Sequence, residues 1–323
     1  MKKIYFRAVI ASFCTSIAVI STSAFADLDR LTIGTNPSGS TFYLIGGGLS
    51  RLYQTELGIR STAQPNAGSS VYLPMISTGD MTLGISSSIE ASMAYNGEAN
   101  FPIKMDNLRV LARIWSLPYA YLTTGDSGIN TVEDLRGKRV MGNMSTNIAL
   151  TRINKAILQS GGLTEEDVDF ARSGGLMDGI EAVLQGRADA APVATTMPVL
   201  MESHGTAPGG LRIIANGEQG TTEFFSNIVP GLSEYLAEPN SRHPYIVGET
   251  EITSYDIYVV ANEDLSEEDA YRLTEVVYEN WPQMQKDYPP LRAVPQEGLY
   301  VDQPTIPYHS GAESFFSKLE MNE

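Results

Sequence analysis

The chain has 323 residues, 42% of them hydrophobic and 17 of them proline. It is long enough for two domains and too apolar for a disordered chain. Its formal net charge of −16 argues against nucleic acid and anionic membrane surfaces as partners.

The N-terminus reads as an export signal rather than as structure. Lys2, Lys3 and Arg7 form a basic start, residues 8–20 are almost continuously apolar, and Ala24-Phe25-Ala26 is an A-x-A cleavage signal. Residues 1–26 are therefore expected to be a cleaved signal peptide, with the mature chain starting at Asp27 in the periplasm. An uncleaved membrane anchor is the alternative. Cys14, the one cysteine, lies inside this segment, and the bulky Phe13 beside it does not suit a lipoprotein signal. The mature chain would then lack disulfides and depend on its core. It would also be more acidic than the whole, and it carries no later apolar run of about 20 residues that could span a bilayer.

The mature chain alternates β-like and helix-like runs, an α/β signature. Leu31-Thr32-Ile33 reads as a strand, residues 34–41 as a small polar loop, and residues 42–56 as a helix. A second copy follows. Residues 138–141 read as a strand, residues 142–147 (Gly-Asn-Met-Ser-Thr-Asn) as the loop, and a helix runs to about Gln159. Ser and Thr suit such loops because their oxygens cap free N–H groups of a helix's first turn. The same N–H groups and the helix dipole attract an anion.

Another element is also duplicated. Residues 75–88 read as a helix end, a Gly stop and a strand, and residues 183–196 repeat the pattern. Aligning Gly79 with Gly186 puts Thr82 on Asp189 and Ser88 on Thr195, so both strands are expected to finish in hydroxyl clusters. In open α/β sheets ligands lie beyond the carboxyl ends of strands. Two similar lobes facing a shared cleft is the simplest arrangement, although ordinary βα units also resemble one another.

Candidate ligand contacts follow from these devices. Ser38, Gly39, Ser40 and Thr41, with Tyr43 behind them, could cradle a carboxylate in the first loop, or some of the hydroxyls could simply cap the helix. Ser145, Thr146 and Asn147 mirror them. Ser87 and Ser88, facing Thr195 and Thr196, lie in or beside a triple-serine run that is a poor strand former, which points to a site or to a solvated turn. Asn66, Gly68 and Ser69 form a further small polar loop. Arg113 interrupts an apolar run, so it needs an anion: either a ligand carboxylate or an internal Asp or Glu. Trp115, Tyr119 and Tyr121 could close over a ligand or pack the chain.

Several segments resemble the periplasmic solute-binding subunits of TRAP transporters of the TAXI type. The opening Ile33-Gly34-Thr35-Asn36-Pro37-Ser38-Gly39-Ser40-Thr41-Phe42-Tyr43-Leu44-Ile45-Gly46 is similar to that family's I-G-T-x-x-T-G-G-T-Y-Y-x-I-G. The Leu135-Arg136-Gly137-Lys138-Arg139-Val140 turn and the terminal Pro307-Tyr308-His309-Ser310-Gly311-Ala312 also match. There are departures. The loop at 142–147 is shorter than the family's usual G-x-P-G-S-G-T-E. Ser87-Ser88-Ile89 stands where Q-S-D is common, and Arg113 and Trp115 replace smaller or Tyr residues.

The resemblance implies a type II-like periplasmic binding protein fold: two lobes, a ligand cleft between them and two crossover segments, near residues 115–121 and 247–256. Residues 27–115 plus 256–323 would form one lobe and residues 116–255 the other. It also implies capture of a small organic anion, such as glutamate, 2-oxoglutarate or another dicarboxylate, and delivery to the membrane permease of a sodium-driven TRAP transporter. A receptor for an ABC importer or a sensor system is the alternative.

An enzyme is not expected. His204, His243 and His309 are the only three histidines, none is paired at metal-ligand spacing, and no G-x-S-x-G elbow occurs. No cofactor and no metal site is expected. His309 fits a structural role in the terminal segment, and residues 165–167 and 267–269 read as solvated acidic first turns of helices.

Overall fold

The computed structural model describes residues 28–99, 101–144 and 147–321. The expected leader with Cys14, Asp27, and Ser145 and Thr146 of the second loop lie outside the described residues.

The first lobe opens with β1 (Arg30–Thr35), α1 (Thr41–Leu57), β2 (Arg60–Pro65), α2 (Ser69–Ser77), β3 (Leu83–Ser87) and α3 (Ser88–Asn96). A long strand, β4 (Leu108–Thr124), leads into β5 (Arg139–Met144), α4 (Ile148–Ser160), β6 (Asp169–Ser173), α5 (Leu176–Leu184) and β7 (Ala191–Ala194). Next come α6 (Val199–Thr206), β8 (Leu211–Ile213), α7 (Thr222–Ile228) and β9 (Leu232–Ala237). A second long strand, β10 (Thr250–Asn262), returns to α8 (Glu267–Glu279), α9 (Trp281–Asp287) and α10 (Ser310–Glu320).

The main sheet runs β2-β1-β3-β10-β4-β7, with β8 also on β4 and β9 also on β10. β1 is parallel to β2 and β3, while β4 and β10 pair antiparallel along most of their length. The end of β10 lies between β3 and the start of β4. The end of β4 carries β7 and β8, and the start of β10 carries β9. These two strands therefore thread both lobes. The segments expected to cross over meet as neighbours, Tyr119 opposite Thr253 and Ser116 opposite Asp256. β5 and β6 form a parallel pair that joins the second lobe through a bridge between Val140 and Ala190.

Local chemistry explains the elements. Ser40 caps α1 by accepting the Tyr43 N–H, and Ser266 caps α8 by accepting the Asp269 N–H. Ile45, Leu49 and Tyr53 recur every four residues along α1 and are all buried, which is the stripe of an amphipathic helix facing a core. β4 is covered on both faces, so it reads as a near-continuous apolar run. Gly79 and Gly186 hold φ of 81° and 66° at the two expected stops, a left-handed backbone that glycine adopts without steric cost.

Among the described residues, no helix is long and apolar enough to cross a membrane, and no group of three His, Cys, Asp or Glu side chains is placed to hold a metal ion.

Candidate ligand site

The loop after β1 and the starts of α2 and α3 in the first lobe face the starts of α4 and α5 and the residues after β7 in the second. An inner cavity of about 40 Å³ lies between them, lined by polar Asn36, Thr41, Ser69, Ser87 and Asn147 and by apolar side chains of both lobes. It continues into an outer chamber of about 310 Å³ that shares Asn36, Ser40, Asn147, Leu150, Leu176 and Met197 with it. The outer volume is at the small end of the range for ligand sites.

Four helices, α1, α2, α4 and α5, bring their starts to this space, and Ser87, the cap of α3, lines it too. A strand–loop–helix unit places a helix N-terminus at the carboxyl end of its strand, so repeating the unit in each lobe brings several to one spot. A helix start has N–H groups without an intrahelical partner, of which the Ser40 cap takes one at α1, and about half a positive charge.

The predicted residues divide between roles. Ser38, Ser40, Thr41, Ser69, Ser87, Trp115 and Asn147 line one or both parts of this cavity. Gly39 shapes the first loop with φ of 88°. Ser40 and Ser87 also cap their helices, Ser87 by accepting the Glu90 N–H at 3.0 Å. Tyr43 contributes its N–H to the Ser40 cap. Thr41 Oγ1 donates across the cleft to the Thr196 carbonyl at 3.4 Å. Asn66 bonds within its own loop, its side chain donating to the Gln64 carbonyl, and Gly68 is an extended residue ahead of α2.

Ser88 opens α3 rather than ending a strand, because serine suits a helix start better than a strand. Its hydroxyl lies toward Gly231 and Thr305, and its carbonyl accepts from Thr305 Oγ1 at 2.7 Å. Thr195 is held through its backbone, its N–H donating to Pro118 and its carbonyl accepting from the Tyr245 hydroxyl. Thr195 and Thr196 line a separate chamber of about 340 Å³ on the hinge side, and Trp115 forms part of the lining of both spaces.

Arg113 faces protein. Its Nη1 lies 3.4 Å from Asp256 Oδ1 and its Nε donates to the Gly298 carbonyl at 2.7 Å. Tyr119 and Tyr121 are fully buried, and their hydroxyls donate to the Asn154 side-chain and main-chain oxygens. His309 caps α10 by accepting the Gly311 N–H.

The composition pattern did not single out the most unusual residue of the cleft. Glu90 is 1% exposed, and its carboxylate accepts from the Ser69 and Ser70 hydroxyls of α2. The backbone N–H of Ile148, the first residue of α4 in the opposite lobe, also favours its charged form. Burial pushes its pKa up and outweighs these hydrogen bonds, which act the other way. Asn36, Phe42, Tyr255, Leu176 and Met197 also line the cavity without having been predicted. The Asn36 Oδ1 and Trp115 Nε1 atoms are buried without a hydrogen-bond partner among the described residues, so the cavity wall offers one acceptor and one donor. Asn36 lay inside a quoted motif, but nothing in the sequence showed which way any of these side chains would turn.

Comparison with solved structures places the same architecture elsewhere. The PhnD1 protein of Prochlorococcus marinus, solved with methylphosphonate, superposes with a TM-score of 0.59 at 14% identity over 91% of this chain and 99% of that one. An ancestral arginine-binding protein bound to arginine gives 0.51 at 14% identity over 81% and 97%. The substrate-binding protein of an amino acid ABC transporter gives 0.50 at 12% identity over 81% and 96%. At such identities the likeness establishes the fold, a two-lobed periplasmic binding protein. The sequence itself carries the family signature: the model of the NMT1-like family matches residues 33–318, and the chain belongs to that family.

Proposed function

We propose that this chain is a periplasmic solute-binding protein that closes its lobes around a small organic anion and presents it to a membrane importer. The observation that carries this reading is the convergence of four helix starts, from both lobes, on one cavity. A ligand held from both sides stabilises the closed form, because only that form makes both sets of contacts. Among the described residues no Lys, Arg or His lines either part of the cavity, so the anion would be held by backbone N–H groups and hydroxyls. We take residues 27–115 plus 256–323 as one lobe and 116–255 as the other.

Asp178 lines the outer chamber and favours a solute that also carries an amine, such as an amino acid zwitterion. The sequence motifs implied a TRAP permease as the recipient. We favour an ABC-type importer, since a neighbour of the same fold is the substrate-binding protein of an amino acid ABC transporter and the family matched is the NMT1-like one.

Thermal unfolding with a panel of dicarboxylates, 2-oxo acids and amino acids tests the ligand. A solute present at 100 times its dissociation constant adds about 2.7 kcal/mol of stability. If no member of the panel moves the midpoint, the organic-anion reading is wrong. Transport by proteoliposomes carrying each permease type, with the loaded receptor added, decides the recipient.

A further inference from the structure

We propose that capture of an anion in this cleft is coupled to protonation of Glu90. The inference rests on the anion reading above and adds a regulation of the same site.

Glu90 is an anion already built into the cleft. Ser69 and Ser70 of α2 hold it by hydrogen bonds, and the Ile148 N–H at the start of α4, in the opposite lobe, favours its charged form. It thus puts a built-in negative charge beside the start of a helix of the opposite lobe, the kind of place that attracts a ligand carboxylate. The groups facing it are hydroxyls, N–H groups and the phenols of Tyr72 and Tyr255, which both sense its charge. Both phenols are themselves pushed up by burial and stay neutral. The Arg152–Glu98 pair also joins α4 to the end of α3, but it is a closed, largely exposed pair.

Ser69 separates Glu90 from the cavity by one side chain. Its hydroxyl donates to Glu90 and its residue lines the inner chamber. Ser69 has a single O–H, given to the ionised Glu90, so an anion beside Ser69 Oγ would meet only its lone pairs and would sit roughly 5–6 Å from the Glu90 carboxyl. Two like charges at that distance, at an effective dielectric constant of about 20, disfavour each other roughly a hundredfold. Taking one proton onto Glu90 removes that repulsion. The protonated carboxyl still accepts from one serine through its carbonyl oxygen and gains a donor that can turn toward the bound anion. The balance is simple: one anion and one proton enter, and no covalent bond forms except the O–H on Glu90.

Titration calorimetry with 2-oxoglutarate, in buffers of different ionisation enthalpy, counts the protons taken up. The wild-type protein is expected to take up as much as one proton per anion. Its affinity should fall by as much as tenfold per pH unit on the alkaline side of the Glu90 titration, which burial moves above the ordinary carboxylate range. Glu90→Gln keeps a side chain of the same shape without the charge. It should take up no proton from this position, bind with a flat pH profile, and bind at least tenfold more tightly than wild type at neutral pH. Binding of 2-oxoglutarate with no buffer dependence in the wild type overturns the coupling and leaves the anion reading standing. Should the variant not fold, the wild-type proton count alone decides. If neither 2-oxoglutarate nor any other member of the organic-acid panel binds, the anion reading falls and the coupling falls with it.

Discussion

Thr41 and Thr196 hold the two lobes together across the cleft, the Thr41 hydroxyl donating to the Thr196 carbonyl. Thr41 is the first residue of α1, and Thr196 follows β7 by two residues, so the bond joins one duplicated device to the other. At 3.4 Å it is a long hydrogen bond and contributes at most about 1 kcal/mol. Thr41→Val keeps the shape and removes the donor. The expected outcome is a change in unfolding free energy within about 1 kcal/mol and a solute affinity roughly tenfold weaker. Equal affinity in the two proteins, by calorimetry, would mean that the bond plays no part in holding the closed form.

Trp115 is the apolar counterpart of that bond. It is 0% exposed, its ring lies 5.4 Å from that of Phe42, and it lines both the inner cavity and the hinge-side chamber. Trp115→Ala should cost about 3–5 kcal/mol by urea unfolding, since β4 and the first turn of α1 cannot both move into the space. Trp115→Phe should cost far less but lose the Nε1 donor. A weaker solute affinity in Trp115→Phe with near-normal stability would place that donor on the solute, and an unchanged affinity would place the solute elsewhere.

How much of this was legible beforehand depends on the kind of feature. The repeated strand–loop–helix units were readable, because glycine stops and serine caps act over a few residues. The structure shows them as β1–α1 and β5–α4, and as α2–β3 and α5–β7. The first-loop hydroxyls were readable for the same reason. Ser88 was misplaced by one residue, enough to move it from strand end to helix start and turn it away from the cleft. Glu90 was missed because two positions past the triple-serine run an acidic residue reads as an ordinary first-turn glutamate. Only the packing of α2 and α4 over it, from parts of the chain 20 and 58 residues away, makes it a buried charge.

Arg113 had two readings from sequence, a ligand clamp or an internal pair. Its geometry gives Asp256 and the Gly298 carbonyl as partners, and Asp256 is further held by the Ser116 hydroxyl at 2.7 Å. Both charged side chains retain about a fifth to a quarter of their exposure, so the pair is screened and the loss is modest. Arg113→Met is expected to lower stability by about 1–2 kcal/mol, most of it from the lost Gly298 bond and packing. Solute affinity should be unchanged, and a tenfold loss would return Arg113 to the cleft.

Gly79 and Gly186 test whether the duplicated stops are set by backbone alone. Nothing lies within 4 Å of a Cβ built at either position, so space is not the constraint. Their φ values are 81° and 66°, and a left-handed residue with a Cβ costs about 1–2 kcal/mol. Alanine at either site should show that loss in the urea midpoint, and asparagine should show less because it tolerates this region. Alanine variants as stable as wild type would show that the turns relax to another conformation.

Two carboxyl groups should give stability opposite slopes with pH. Asp134 Oδ2 accepts the Asn130 and Thr131 N–H groups at 2.9 and 3.0 Å, which holds its pKa below the ordinary value. A depressed pKa stabilises the fold above the unfolded value near about 3.9 and is lost as pH falls through the folded value. Glu90 is raised instead, so the folded state holds its proton more tightly than the unfolded chain does. Its contribution is most favourable in acid and fades as pH rises from about 4.3 through the folded value. Asp134→Asn should therefore lose about 0.5–1 kcal/mol at neutral pH, a typical cap loss, and nothing in strong acid. Glu90→Gln should gain on wild type at neutral pH, with the gain shrinking as pH falls toward about 4. Unfolding midpoints across that range separate the two, because one difference closes from below and the other from above. Parallel profiles for wild type and Glu90→Gln would mean that the Glu90 carboxyl is as well solvated in the fold as in the open chain.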